Sequence, residues 1–208
     1  MGIGATRELY SRRWLIEAIA DGLEPEYLLF WGHTPPAGGG IGKHVLSQWW
    51  PARFLLDGQS YLSAEHCMMA EKARLFGDAE TRARILAAAT PAEAKALGRK
   101  VRGFDEQVWE RERFEIVRTA SYEKFSQNAD LCGYLLGTGQ AVLVEASPVD
   151  RIWGIGLPPD DPRATRPGEW QGLNELGFAL MQARHLLRDR HRQGGQSQRA
   201  TNTAVPPE

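Results

Sequence analysis

Hydrophobic positions recur at helical spacing along most of the chain, and four short apolar runs interrupt that pattern. A period of about 3.6 residues indicates helices, whereas a short or alternating apolar run indicates a strand. The pattern predicts helices over residues 7–20, 63–76, 78–88, 90–98, 105–125, 129–136 and 173–190. It predicts strands over residues 27–33, 53–56, 59–62 and 140–147. Few strands separated by several helices are typical of an α+β fold, so we expect a single mostly helical domain with a small β-sheet.

Capping signals mark the ends of two of these helices. Ser63 is a suitable N-cap for the helix that follows it. Thr90 and Glu93 have the spacing of a capping box, with Pro91 at the first helical position. Gly98 is expected to end that helix. These signals predict where two of the helices begin.

Two further patterns concern a hairpin and the longest helix. The dipeptide Asp57-Gly58 lies between two apolar runs and indicates a tight hairpin turn. The helix over 105–125 is expected to present one side made of Val108, Trp109, Glu112, Ile116 and Ala120.

The segment YLSAEHCMMAEKARLF, residues 61–76, carries two charges on its apolar side. Each residue turns an α-helix by about 100°, so Lys72 lies about 20° from Glu65 around the axis. The apolar residues of the segment fall within about 80° of the same direction. Burying an unpaired charge costs several kcal/mol. We therefore expect both side chains to point inward, where they either form ion pairs or take part in binding or catalysis.

The spacing of Glu65 and Lys72 leaves their relation open. Residues seven apart are separated by about 10.5 Å along the axis, so a direct ion pair requires the lysine to fold back. Separate partners, or one ligand shared by both side chains, fit the spacing better. A buried ion pair without chemical function is the alternative interpretation.

The segment EASPVDRIWGIGL, which begins in the predicted strand over 140–147, contains several residue types common in binding sites. Glu145 ends the strand, and Asp150 follows in a turn. Trp153 precedes Gly154 and Gly156, which permit close approach of the backbone to a ligand. A tryptophan packed under the loop is the structural alternative, but an acid, an indole and two glycines at a strand end favour a binding site.

Composition excludes several classes of protein. The 208 residues carry a net charge of −1, which provides no general positive field for nucleic acid. The longest apolar runs are far shorter than the roughly 20 residues that cross a bilayer. Cys67 and Cys132 have no metal-like spacing and suit reduced thiols. We therefore expect a cytoplasmic protein without a membrane partner.

Nucleotide and metal motifs are incomplete. The glycine-rich stretch AGGGIGKHV begins with Ala37 where a phosphate loop has glycine, and His44 replaces the Ser or Thr that holds magnesium. The histidines and cysteines show neither HExxH nor CxxC spacing. We predict no metal site and no cofactor.

Five blocks in order resemble the NADAR family of N-glycosidases. They are the segment from SQWWPARFLLDG through AEHCMMAEKARLFGD, then ILAAATPAEAKALGRKVRGFDEQVWERERFEIV, YEKFSQNADLCGYLLGTG, LVEASPVDRIWGIGL and WQGLNELGFALMQAR. The resemblance extends from about Leu29 to Leu187. It implies a catalytic domain over residues 27–190. Outside it, helical spacing predicts an N-terminal helical extension over residues 1–26, and polar composition predicts a disordered tail over 191–208. One departure is SQWW at Ser47 to Trp50, where better-known members have a shorter SNF step.

The resemblance implies cleavage of a bond between a base and ribose, with ADP-ribose or a ribose phosphate as the substrate moiety. Some members remove ADP-ribose from guanine in nucleic acid and reverse the action of a toxin, and others cleave early intermediates of riboflavin synthesis. We expect the first activity, with ADP-ribosylated DNA or RNA and a neighbouring ADP-ribosyltransferase toxin as partners. The alternatives are the riboflavin intermediates and a module that binds ADP-ribose without cleaving it.

The same resemblance suggests roles for individual residues. An oxocarbenium-like sugar requires a nearby negative group, and the departing base requires a proton. Glu65 fits the first need, Asp150 would bind ribose hydroxyls or position water, and Lys72 would balance a carboxylate or reach a phosphate. The expected substrate contacts are Trp49 at the lip, stacking by Trp109 and Trp153, phosphate binding by Gly154 and Gly156, and Asn174 as a ligand contact or helix cap.

Overall fold

The computed structural model describes residues 10–202, with side chains as far as residue 193. Seven α-helices are present in this part of the chain: α1 (Arg12–Ala20), α2 (Ala64–Leu75), α3 (Ala79–Ala87), α4 (Pro91–Gly98), α5 (Glu106–Ser126), α6 (Ala129–Gly137) and α7 (Glu175–Asn202). Short 3₁₀ turns cover Lys43–Leu46 and Pro167–Glu169. None of the described helices is long and apolar enough to cross a membrane.

The four strands among the described residues form two small sheets. β1 (Tyr27–Phe30) and β4 (Val142–Glu145) pair in parallel, with Phe30 opposite Glu145. β2 (Phe54–Leu56) and β3 (Gln59–Tyr61) form the predicted antiparallel hairpin. Its turn residues, Asp57 and Gly58, have φ angles of 50° and 77°, as a tight hairpin turn requires. The α+β prediction is confirmed, with the strands divided between two pairs.

The core lies where the two longest helices meet the parallel strand pair. α5 packs against α7, and α7 packs against β4. On the other side, α2 packs against α3, α4 and α5. The fully buried side chains include Phe30, Leu143 and Phe178. This arrangement brings the start of α2 and the end of β4 to the same side of the core.

The predicted capping signals are confirmed. The hydroxyl of Ser63 accepts a hydrogen bond from the backbone N–H of His66, and α2 begins directly after this cap. The capping box at the start of α4 is complete: Thr90 accepts from the Glu93 N–H, and the Glu93 carboxylate accepts from the Thr90 N–H. α3 begins in the same manner after Asp78. Local sequence therefore fixes how α2, α3 and α4 start.

The predicted face of α5 is corrected by the structure. Glu112 is exposed, whereas Arg113 and Lys124 are buried. Arg113 makes a bidentate pair with Glu175 of α7, with both N–O distances 2.8 Å. Lys124 donates to backbone carbonyls of the segment before β2. Buried charges with such partners are stable inside a core, but a search for apolar periodicity places them outside it.

Three element boundaries also differ from those predicted. The predicted first helix includes residues 7–9, which lie outside the described residues, and α1 begins at Arg12. β1 ends at Phe30, three residues before the predicted end. α7 continues to Asn202, past the predicted end at Arg190. The first twelve residues of the predicted tail are therefore helical. Glycine in a helix costs only about 1 kcal/mol, so Gly194 and Gly195 do not end it.

Candidate active site

A cavity of about 400 Å³ opens at the ends of β1 and β4 and at the start of α2. Its size is within the usual range for small-molecule sites. Carboxylates, tryptophans and one lysine dominate its wall. The lining residues are Trp31, Gly32, His33, Ser47, Gln48, Trp49, Glu65, Lys95, Glu145, Ser147, Val149, Asp150, Trp153 and Leu176.

Glu65 lies in the first turn of α2 and is 1% exposed. Its backbone N–H donates to the carbonyl of Gln48 at 3.0 Å, which fixes the start of the helix against the segment before β2. Its side-chain Oε1 is buried and has no hydrogen-bond partner among the described residues. An unsatisfied buried carboxylate oxygen is costly to the fold. Its position in the cavity wall makes it available to a ligand.

Burial raises the pKa of Glu65 to about 7. The positive charge of Lys95 and a hydrogen bond from the Trp49 side chain oppose this shift, and the negative charge of Asp150 adds to it. A carboxyl group with a pKa near neutrality can exist in either protonation state at working pH. The site therefore contains an acid suited to proton transfer or to charge stabilisation.

Lys72 occupies a different environment on the same helix. It is half-buried, and its Nζ lies 4.1 Å from the ring centroid of Phe104 and 5.5 Å from that of Trp109. Burial lowers the pKa of Lys72. Neither Lys72 nor Trp109 lines the cavity that contains Glu65. The structure therefore separates these two predicted site residues from the others.

Asp150 lines the cavity and also builds the loop around it. Its Oδ1 accepts hydrogen bonds from the backbone N–H groups of Ile152 and Trp153, at 2.9 and 2.8 Å. Its own N–H donates to the hydroxyl of Ser147. These bonds fix the conformation of residues 147–153, which brings Trp153 to the cavity wall. The structure thus places Asp150 and Trp153 beside Glu65, as the sequence predicted.

Gly154 and Gly156 do not line the cavity. A Cβ on Gly154 would meet the carbonyl of Glu145 at 2.8 Å. Gly156 has a φ of 70°, and its N–H donates to the carbonyl of Asp150 at 3.2 Å. The Gly156 N–H predicted to hold a phosphate is therefore used inside the loop. Gly154 therefore permits tight packing of the loop on the end of β4, and Gly156 permits its packing against Gln171.

Asn174 is completely buried and bonds β4 through both ends of its amide. Its Oδ1 accepts from the Glu145 N–H at 2.9 Å, and its Nδ2 donates to the Leu143 carbonyl at 2.9 Å. Asn174 precedes α7 and its carbonyl accepts from the Phe178 N–H, but its side chain bonds β4 and does not line the cavity. Asn174 also has a φ of 58°, a conformation that asparagine tolerates better than most residues. It acts on the site by fixing the backbone of Glu145.

Trp49 contributes to an aromatic rim, defined here as Trp31, His33 and Trp49. The rings of His33 and Trp49 have centroids 5.6 Å apart. The Nζ of Lys95 lies 5.7 Å from the Trp49 ring. Trp31 is 52% exposed, an unusual state for so large an apolar side chain. A rim of this kind offers flat surfaces to a base or sugar.

Several lining residues were absent from the predicted set. The sequence names Glu145 as part of the strand-end loop but assigns it no role, although its position at a strand end is a signal for a site residue. Lys95 lies on a short helix without an informative pattern, and only packing brings α4 to the cavity. In residues 10–202, no group of three or more His, Cys, Asp or Glu side chains has an arrangement suited to a metal ion.

Comparison with known proteins identifies the family. The NADAR domain matches residues 29–188, almost the range expected from the five blocks. N-glycosidase R617 of Acanthamoeba polyphaga mimivirus is 44% identical over 148 residues, which are 69% of this chain and 87% of that protein. A riboflavin biosynthesis protein of Vibrio vulnificus is 33% identical over 144 residues, which are 69% of this chain and 35% of that protein.

A solved structure gives the same answer for the fold. The NMR structure of Escherichia coli YbiA matches with a TM-score of 0.65 and 27% identity, covering 81% of this chain and 89% of that one. The corresponding protein, N-glycosidase YbiA, is 33% identical over 138 residues, which are 66% of this chain and 76% of that protein. The predicted relationship is confirmed: this chain belongs to the NADAR domain family.

Proposed function

We propose that this chain, a hydrolase of N-glycosyl bonds, removes ADP-ribose from modified guanine in nucleic acid. The observation that carries the proposal is the cavity carboxylate of Glu65, which is buried, unpartnered at Oε1 and has a pKa raised to about 7. Cleavage of an N-glycosidic bond develops positive charge on the sugar, which a desolvated carboxylate stabilises strongly.

The other lining residues support a substrate with a flat base and a phosphorylated ribose. The aromatic rim offers stacking surfaces at the cavity mouth. Lys95 supplies a positive charge for a phosphate oxygen. Asp150 lies where it can accept bonds from ribose hydroxyls or from the attacking water. The exposed position of Trp31 suits a base attached to a larger molecule, because such a base must be held at the cavity entrance.

A second candidate substrate is a phosphorylated intermediate of riboflavin synthesis. The observation that favours it is the similarity to the Vibrio vulnificus protein named for riboflavin biosynthesis. The chemistry at the sugar is the same, since both reactions break a bond between ribose C1′ and a nitrogen. The two substrates differ in the size of the group that must lie at the rim.

Parallel assays separate these functions. Purified protein is incubated with an ADP-ribosylated guanine oligonucleotide and, separately, with phosphorylated pyrimidine intermediates, and released product is quantified by chromatography. We expect ADP-ribose release by the wild type, a strong loss in Glu65→Ala and no loss in Glu112→Gln, which removes an exposed carboxylate from α5.

Two outcomes would contradict the proposal. Cleavage of the pyrimidine intermediates alone would assign the second function. Tight binding of ADP-ribose by calorimetry, without turnover of either substrate and unchanged in Glu65→Gln, would assign a non-catalytic binding module.

A further inference from the structure

A second acidic side chain, Glu145, lines the same cavity as Glu65. It is the last residue of β4, whereas Glu65 belongs to α2. The Oε2 of Glu145 is shielded from solvent and, like Oε1 of Glu65, has no hydrogen-bond partner among the described residues. Two carboxyl groups with unsatisfied oxygens in one cavity are an expensive arrangement for a fold. Function is the usual reason why such a cost persists.

The backbone of Glu145 is fixed on both sides. Its N–H donates to Oδ1 of Asn174 at 2.9 Å, and its carbonyl accepts from the Ile155 N–H at 2.9 Å. It also lies opposite Phe30 in the parallel pairing with β1. Catalytic groups need this kind of preorganisation, because a displacement of about 1 Å can cost 10²-fold in rate. The carboxyl group therefore projects from a rigid support.

Electrostatics separate the two acids. Burial raises the pKa of Glu145 to about 8 and that of Glu65 to about 7. The negative charge of Asp150 raises both pKa values, and the positive charge of Lys95 lowers both. A hydrogen bond from the Trp49 side chain favours the anion of Glu65, whereas no such bond from the described residues acts on Glu145, so Glu145 is the group that holds a proton more firmly. Pairs of acids divided in this way are suited to the roles of proton donor and anion.

We propose that Glu145 is a catalytic acid that protonates the departing base while the Glu65 carboxylate acts on the sugar. This assignment rests on the proposed N-glycosidase reaction and adds to it the source of the proton. The geometric basis is that both side chains line one cavity, Glu145 from the end of β4 and Glu65 from the first turn of α2.

In the proposed reaction, proton transfer accompanies bond cleavage, and water then adds to the sugar. The carboxyl proton of Glu145 passes to a nitrogen of the base as the C1′–N bond breaks, and the electrons of that bond go to the nitrogen. The oxocarbenium ion left at C1′ is stabilised by the Glu65 carboxylate. Water adds to C1′ and gives its proton to Glu65. Proton exchange with solvent then returns Glu145 to the acid and Glu65 to the carboxylate.

A substrate that needs no protonation provides the test. The 4-nitrophenyl glycoside of ADP-ribose carries a leaving group that departs as a stable anion, whereas a base attached through nitrogen requires a proton. We expect Glu145→Gln to lower kcat/KM for the N-glycoside about 10²-fold or more, and that for the nitrophenyl glycoside less than about threefold. Glu65→Gln should lower both, and Glu112→Gln should lower neither.

The pH profile is an independent readout. For the wild type, kcat/KM for the N-glycoside should fall as pH rises through about 8, because Glu145 loses its proton. The fall should be absent for the nitrophenyl glycoside. Glu145→Asp should recover part of the N-glycosidase activity, and melting curves verify that each variant is folded.

The outcomes distinguish this inference from the proposed function. Equal losses on both substrates in Glu145→Gln, or no loss on either, would overturn the acid assignment while leaving the N-glycosidase intact. A wild-type protein that cleaves neither substrate would overturn both.

Discussion

The two ends of helix α2 show how differently a fold can treat two charges on one helix face. Glu65 in the first turn lines a cavity and retains a buried oxygen without a partner. Lys72, two turns later, lies over the rings of Phe104 and Trp109. Aromatic faces attract cations, so these two rings partly offset the burial of the lysine. The comparison teaches that an inward charge indicates a reactive site only when the protein leaves it without a partner.

Replacing Glu65 should cause the largest loss of activity, and it shows most clearly the difference between Glu65 and Lys72. We expect Glu65→Gln to lower kcat for base release by about 10²- to 10⁴-fold. The same change should raise the melting temperature at pH 8, because the wild-type carboxylate is desolvated there. A folded pKa above the unfolded value means that wild-type stability falls as pH rises from about 4.5 to about 7.

Steady-state kinetics and thermal melting at pH 5 and pH 8 check this prediction. The matched variant Glu112→Gln should change neither quantity. Retention of full activity in Glu65→Gln would contradict the assignment of a catalytic role to Glu65 and not to Lys72.

Replacing Lys124 tests whether the segment that carries Gln48 and Trp49 must be held in place for catalysis. This fully buried lysine donates to the carbonyls of Val45 and Ser47, at 2.7 and 2.8 Å, directly before Gln48 and Trp49. Lys124→Met leaves both carbonyls without that donor, so we expect a loss of about 1–3 kcal/mol in stability and roughly tenfold in kcat/KM.

The pH dependence of that stability loss identifies its origin. Burial lowers the pKa of Lys124 to about 7, so the unfolded chain binds more protons between about pH 7 and 10.5. Wild-type stability gains from Lys124 as pH rises through this range. The difference in melting temperature between wild type and Lys124→Met should therefore increase from pH 6.5 to pH 9.5. A difference independent of pH would contradict this account.

Trp49→Phe should have a smaller effect, confined to the protonation of Glu65. The Trp49 side chain donates a hydrogen bond that lowers the pKa of Glu65, and phenylalanine has no donor. The acid-side midpoint of the kcat/KM profile should move to higher pH, with a loss of about three- to tenfold below pH 7. A uniform loss at all pH values would instead indicate that Trp49 contributes stacking alone.

Lys72→Met should have the smallest effect on catalysis. Methionine keeps contact with Phe104 and Trp109, so we expect a stability change of about 1 kcal/mol and less than a twofold change in kcat/KM. Steady-state kinetics of Lys72→Met and Glu65→Gln, measured in parallel, compare the two residues directly. A loss of kcat/KM comparable to that of Glu65→Gln would show that Lys72 is required for catalysis.

Much of this fold could be predicted because its signals are local. The capping box at Thr90 and Glu93 and the Asp57-Gly58 hairpin depend on residues within a few positions of each other. The inward direction of Glu65 follows from helix geometry alone. The face of α5 could not be predicted, because Arg113 is buried by a partner 62 residues away.

The sequence by itself determined the family, the α+β class and the inward position of Glu65, since each depends on motif order or on the helical period. Only the tertiary structure decided which groups share a cavity. It placed Glu145 and Lys95 with Glu65 and removed Lys72 to an aromatic cluster. The physical reason is that the protonation and reactivity of a charged group depend on desolvation and on neighbours distant in sequence, which come together only when β4, α2 and α4 pack.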